Sequence, residues 1–159
     1  MGAPYTYAKR KLEDALALLL TRLGGTTLSG VTVYKGFSFA DLEASRIEIV
    51  CATAEAERLG AMPGGGYMTG NFIVNGMIAV VSHKDDVVRG THAARCGAVE
   101  DIIMRDDVEE QMNTLGVGDF YIHSPDWRPT TSEDLISGSE ARTELNFTAR
   151  VRPSTPEEV

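Results

Sequence analysis

The chain has 159 residues, enough for one domain with a sizeable buried core and no need of a disulfide or metal staple. Its apolar fraction of 43% and charged fraction of 24% are those of a globular protein and exclude a disordered or fibrous one. The net charge of -8 sets it against tight nonspecific binding to phosphate backbones or anionic lipid.

The first predicted element is a helix from about residue 5 to 23. Leu12, Leu16, Leu19, Leu20 and Leu23 recur at helical spacing as one apolar stripe, and Gly24-Gly25 supplies the left-handed stop that follows many helices. Lys9, Arg10 and Lys11 precede an apolar run of only six residues, Ala15 to Leu20. That run is too short to cross a bilayer and is preceded by Glu13 and Asp14, so neither a membrane span nor a signal peptide is expected. Gly2 and Thr6 match a loose myristoylation pattern with no second anchor.

Thr26 to Tyr34 is rich in Thr and Val and fits either a short strand or an extended arm. Arg46 to Ala54 reads as a strand, with Ile47, Ile49 and Cys51 on one face. Residues 60–70, GAMPGGGYMTG, carry five glycines and a proline and read as a mobile loop at the tip of a long hairpin. Asn71 to His83 is the return strand. It is apolar on both faces, as expected of a central strand or one facing a partner. Asn75-Gly76 within it marks a bulge or a turn.

Thr91 to Met104 is a second helix, with Cys96, Val99 and Ile103 on one face. Asp107 and Glu110 form a capping-box-like pair before a further turn through Val108, Met112 and Leu115. Phe120 to His123 is a short strand. Residues 124–138 read as a loop holding Trp127 between Pro125 and Pro129. The last strand is the clearest: Leu145, Phe147, Ala149 and Val151 alternate with Glu144, Asn146, Thr148, Arg150 and Arg152. Together these predict a single α+β domain over residues 1–152, with a mostly antiparallel sheet, a long hairpin and helices packed on one face. Residues 153–159 follow as a flexible polar tail.

No residue pattern points to catalysis. Gly65 and Gly70 have phosphate-loop spacing, but Asn71 and Phe72 stand where the lysine and hydroxyl residue would be needed. His83, His92 and His123 lack zinc-site spacing. The carboxylates from Asp85 to Glu110 read as a solvated face, and no calcium loop or serine elbow occurs. Cys51 and Cys96 read as two small apolar residues of a protein made in a reducing compartment. No enzyme activity, cofactor or metal is therefore expected. Trp127 fits either cover for the core or an anchor at an interface. Met62, Tyr67 and Met68, apolar at a loop tip, point to a surface that orders against a partner.

The helix RKLEDALALLLTRLGG, the hairpin strands RIEIVCATAEAE and NFIVNGMIAVVSH, the helix HAARCGAVEDIIMRDDVEEQMNT, and FYIH with the closing strand TELNFTARVRP form one layout. That layout resembles the tail terminator proteins of long-tailed bacteriophages and the related neck and tail-completion proteins. The 60–70 and 124–138 loops depart from it. The resemblance implies a non-enzymatic virion protein of the tail or neck, made in the host cytoplasm and assembled as a hexameric ring. Such a ring caps the tail tube, stops its growth and offers the joining surface for the head. The partners implied are further copies of itself, the tail tube protein and a head–tail connector or head-closure protein. DNA would cross the bore without specific binding, helped by like-charge repulsion, and no membrane is involved. The interface residues expected are Met62, Tyr67, Met68, Phe72, Trp127, Arg128, Arg150 and Arg152. Other neck or minor tail proteins share the layout, and a small ligand-binding or enzyme domain is the alternative from another class.

Overall fold

A computed structural model describes residues 4–36, 45–61, 67–83, 89–114, 120–123, 125–128, 135–137 and 140–153. The elements in chain order are α1 (Pro4–Leu23), β1 (Thr32–Lys35), β2 (Arg46–Ala61), β3 (Tyr67–His83), α2 (Arg89–Ile103), α3 (Val108–Asn113), β4 (Phe120–Ile122), β5 (Asp126–Arg128), β6 (Leu135–Ser137) and β7 (Glu140–Pro153). All seven strands join one sheet in the order β1-β2-β3-β7-β4, with β5 and β6 also paired to β7.

The expected α+β fold with a mostly antiparallel sheet holds, and the sheet includes one parallel pair. β1 runs parallel to β2, while every other pair is antiparallel. Residues 36–45 separate β1 from β2 in the chain, more than the two-residue turn that would join them as an antiparallel hairpin. Residues 124–138 are not simply a loop. β5 and β6 fall within them and continue the edge that β4 begins, so β7 is paired on that side at residues 140–142, 146–148 and 151–153. The hairpin is longer than its sequence suggests, since Gly60 and Ala61 end β2 and Tyr67 to Gly70 begin β3. The register there shifts twice, between Glu57 and Arg58 and between Arg58 and Ala61, so the glycines sit in an irregular ribbon rather than a flat ladder.

One face of the sheet carries Ile47, Ile49, Cys51, Val74, Ile78, Val80, Leu145, Phe147, Ala149 and Val151, all buried in the core. The helices supply Leu12, Leu16, Leu19, Leu20, Val99, Ile103 and Met112 against them. Of the stripe foreseen on α1, Leu12, Leu16, Leu19 and Leu20 are buried and Leu23 packs partly buried against them, and Gly25 adopts φ +57° just past the helix, a left-handed stop that glycine takes without strain. The irregularity foreseen at Asn75-Gly76 is a bulge in the facing strand. Cys51 pairs with Gly76 and Thr53 with Asn75, leaving Ala52 as the extra residue. Gly76 has a packing role as well: a Cβ there would stand 2.7 Å from Phe147 Cζ and 2.7 Å from the Val50 carbonyl oxygen. Phe147 therefore lies over the space that a side chain would fill.

The opposite face carries a polar ladder across the strands. Arg46, Val81 and Arg142 form one row across β2, β3 and β7, and Glu48, Ala79 and Glu144 form the next. Arg46 Nε donates to Glu48 Oε2 at 2.7 Å, Arg142 Nη1 to the same oxygen at 3.4 Å, and Arg142 Nε to Glu144 Oε1 at 2.9 Å. Ala79 and Val81 lie buried in these two rows. Further along, Asn75 bridges the strands, donating to Thr53 Oγ1 at 3.1 Å and accepting from Thr148 Oγ1 at 2.7 Å.

Candidate interaction surface

The expected interface residues fall in three places. Met62 lies outside the described residues. Tyr67 and Met68 open β3, with Tyr67 level with Ala61 near the end of the ribbon. Phe72 is buried in the hydrophobic core, level with Ala56 and Val151. Trp127 and Arg128 belong to β5, level with Phe147 and Asn146. Arg150 is exposed on β7, and Arg152 lies half-buried near the end of the same strand. The ribbon end and the β5–β7 region are thus separate places on the sheet.

Arg152 belongs to a cluster that sequence patterning does not reveal. Its guanidinium stands 4.4 Å above the Tyr121 ring. The Tyr121 hydroxyl donates to Glu109 Oε2 at 2.9 Å, and His123 Nδ1 lies 3.7 Å from Glu109 Oε1. The Tyr121 and His123 rings meet edge to face at 5.3 Å. α3 is held to this corner by Asn113, which accepts from the Ile122 amide and donates to the Ile122 carbonyl, both at 2.8 Å. That pair of bonds does for β4 what a neighbouring strand would do. Asp107 does not close the capping box expected at this helix: Arg105 takes both of its carboxylate oxygens, at 2.8 and 3.1 Å, and Gln111 a further bond at 3.2 Å. The Arg105 guanidinium holds the Asp107 carboxyl down at about 2.

The histidines do not converge. His92 sits in a buried polar seam that ties α2 to the sheet. Its Nδ1 pairs with Ser82 Oγ at 2.8 Å and its Nε2 with Thr143 Oγ1 at 2.9 Å, while Cys96 Sγ stands 3.7 Å from Nε2. Arg95 Nη1 also donates to Ser82 Oγ at 3.2 Å. A serine beside a histidine suggests nucleophilic catalysis, but Ser82 is 0% exposed and meets no solvent. The seam satisfies buried polar groups and fixes the helix. Among the described residues no group of three or more His, Cys, Asp and Glu side chains could hold a metal ion, and no helix is long and apolar enough to cross a membrane.

The described cleft of note, about 520 Å³, lies where α1 crosses the end of β1 and the bulge of β2. Lys9, Arg10, Glu13 and Asp14 line it from the helix, Lys35 from β1 and Cys51 from β2. Lys35 Nζ pairs with Asp14 Oδ1 at 2.9 Å. Glu13 Oε1 accepts from the Cys51 amide at 3.4 Å. Burial raises the Glu13 carboxyl above its usual range, an effect the Cys51 amide partly offsets. Burial, followed by the Glu13 charge, pushes the Cys51 thiol well up, so it stays protonated and unreactive.

No protein-family profile matches this sequence, and no curated protein does. Among solved structures the chain is similar to a component of the particle described as "Virion of native gene transfer agent (GTA) particle". The two share 18% identity at a TM-score of 0.57, over 89% of this chain and 94% of that one. The likeness spans nearly the whole of both chains and concerns the fold.

Proposed function

We propose that this protein is a structural component of a phage-like virion, acting by assembly and not by catalysis. Within that reading we assign it the role of tail terminator. As a ring, a hexamer by resemblance, it caps the finished tail tube, ends tube growth and presents the surface that joins the head. The supporting observation is the likeness to a virion particle component over 89% of this chain and 94% of the other, in a fold whose element order follows the terminator-like layout. The partners would be further copies of the chain, the tail tube protein and a head–tail connector or head-closure protein. The protein would be made in the host cytoplasm and end in the neck of the particle, with DNA passing the bore without specific contacts.

In this reading the ribbon end, with Met62, Tyr67 and Met68, reaches toward the tube or a neighbour. Phe72 anchors the ribbon from the core. Trp127 and Arg128 on β5, with Arg150 and Arg152 on the neighbouring β7, form the surface offered to another copy. A ring built head to tail needs two different surfaces, and the ribbon and the β5–β7 region are two. The same likeness supports a place as a head-closure or minor tail protein. The separating experiment is mass by light scattering, alone and with purified tail tubes, followed by negative-stain imaging. Rings seated at tube ends are the expected result. A chain that stays monomeric and ignores tubes overturns the assignment, and rings that bind the head connector but not tubes favour head closure.

A further inference from the structure

The outer edge of β2 changes partner partway along. β1 pairs with it as far as Lys35 and Ile49, and the Gly36 amide still donates to the Ile49 carbonyl at 2.7 Å. The next N–H on that edge, that of Cys51, is met not by a strand but by Glu13 Oε1, at 3.4 Å. That contact is long for an N–H···O bond, whose usual length is ~2.9–3.0 Å. It also holds a carboxylate half-buried, where desolvation raises its pKa. Among the described residues no strand pairs with this edge from Cys51 to Ala61. The cleft of about 520 Å³ opens directly onto it.

The lining is cationic on balance. Lys9, Arg10 and Lys35 stand against Glu13 and Asp14, in a chain of net charge -8. Asp14 is already taken by Lys35. A guest that lays an extended backbone on the edge and offers carboxylates to Lys9 and Arg10 fits both features. The chain carries such a segment. After β7 ends at Pro153 come six residues, STPEEV, with Glu157 and Glu158.

We infer that the cleft receives residues 154–159 of a second copy of the chain, laid as an added strand on the outer edge of β2. This deepens the ring reading and rests on it for the presence of a neighbouring copy. The geometry favours another copy over the same chain. Val151 is level with Phe72, and Phe72 with Ala56, so Pro153 leaves the sheet beyond that row. From there the Cys51 edge lies two strands across and several residues back, ~23 Å along the sheet. Six extended residues span at most ~20 Å, too little to arrive and also lie along the edge. The incoming carbonyl would replace Glu13 at the Cys51 amide and release that carboxylate to water. Pro156, which has no N–H, is tolerated on an edge strand where that position faces solvent. Cleft and segment are different surfaces, so the contact is head to tail and propagates into a ring.

The test titrates a fluorescein-labelled peptide of residues 152–159 onto the full-length chain, followed by anisotropy. Saturable binding is expected, about tenfold weaker in a Lys9→Glu, Arg10→Glu variant, as two solvent-facing ion pairs allow. Oxidising a mixture of Lys9→Cys and Glu157→Cys chains is expected to give a disulfide-linked dimer of the two. Saturable binding lost on charge reversal supports the cleft even where the free chain forms no ring, so failure of the ring reading is seen separately. No peptide binding at millimolar concentration, or binding indifferent to the reversal, overturns the inference. Rings formed by a chain ending at Pro153 as readily as by the full chain overturn it too, while leaving the terminator reading intact.

Discussion

Glu13 is held half-buried at the Cys51 amide, and its raised carboxyl pKa has a definite consequence for stability. A carboxyl whose folded pKa exceeds its unfolded value binds its proton more tightly in the folded state. Stability is then greatest below the unfolded value and falls as pH rises through the interval above it. Glu13→Gln keeps an oxygen for the Cys51 amide and removes the charge. It is expected to stabilise the chain at pH 7 by less than ~1 kcal/mol, after allowance for solvent screening of a half-exposed group. The gain should disappear once the wild-type carboxyl is protonated, at pH values below the ordinary glutamate range. Urea unfolding of both proteins at pH 7 and pH 4 checks this, and an equal difference at the two pH values would contradict it. Gly76 gives a second residue-scale case. An alanine methyl there would stand 2.7 Å from both Phe147 Cζ and a backbone oxygen. Gly76→Ala should cost ~1–3 kcal/mol, since overpacking forces side chains off their rotamers. Combining it with Phe147→Leu should recover part of that loss, because the ring tip is one of the two clashing partners.

At the scale of elements, what the sequence reveals depends on how far a residue's partners lie along the chain. α1 and β7 are legible because each carries its whole signal within one span: a leucine stripe in one, strict alternation in the other. β5 and β6 are three residues long, too short to show a period, and exist because β7 offers them an edge. The buried seam at His92 was hidden for a different reason. Its partners Ser82 and Thr143 lie 10 and 51 residues away, and only the packing of α2 over β3 and β7 unites them. The Glu13–Cys51 contact, 38 residues apart, is of the same kind. Asn113 illustrates an element closed by one side chain. Its two bonds to Ile122 stand in for a strand on β4's free side. Asn113→Ala should speed hydrogen exchange at the Ile122 amide markedly, while global stability falls by ~1–3 kcal/mol, the cost of polar groups left unpaired. Uniform acceleration across β7 and β4 alike would mean that β4 is not a separately held piece.

On the whole-molecule scale, the division of labour between the two ends of the sheet is what an assembly protein requires. The helix-backed region holds the core, and the β2–β3 ribbon runs beyond the last β3–β7 pair at Phe72 and Val151. An isolated two-stranded ribbon is marginal in water, so its length makes sense where something lies against it in the assembled state. This separates folding from assembly and allows a clean test. Replacing residues 62–66 with Asn-Gly joins Ala61 to Tyr67 through a two-residue turn and keeps their pairing. Because the core lies elsewhere, the variant should keep its far-UV spectrum and melt within a few degrees of the parent, a change of about 1 kcal/mol or less. On the proposed terminator reading, the variant is expected to cap tail tubes weakly or not at all, as read by light scattering and negative stain. Extending the excision through Tyr67 and Met68 should add a modest loss of stability, since those two residues belong to β3. A shortened ribbon that still seats rings at tube ends would move the contact from the ribbon to the β7 surface around Arg150 and Arg152. Charge reversal at those two arginines would then be the change that abolishes assembly.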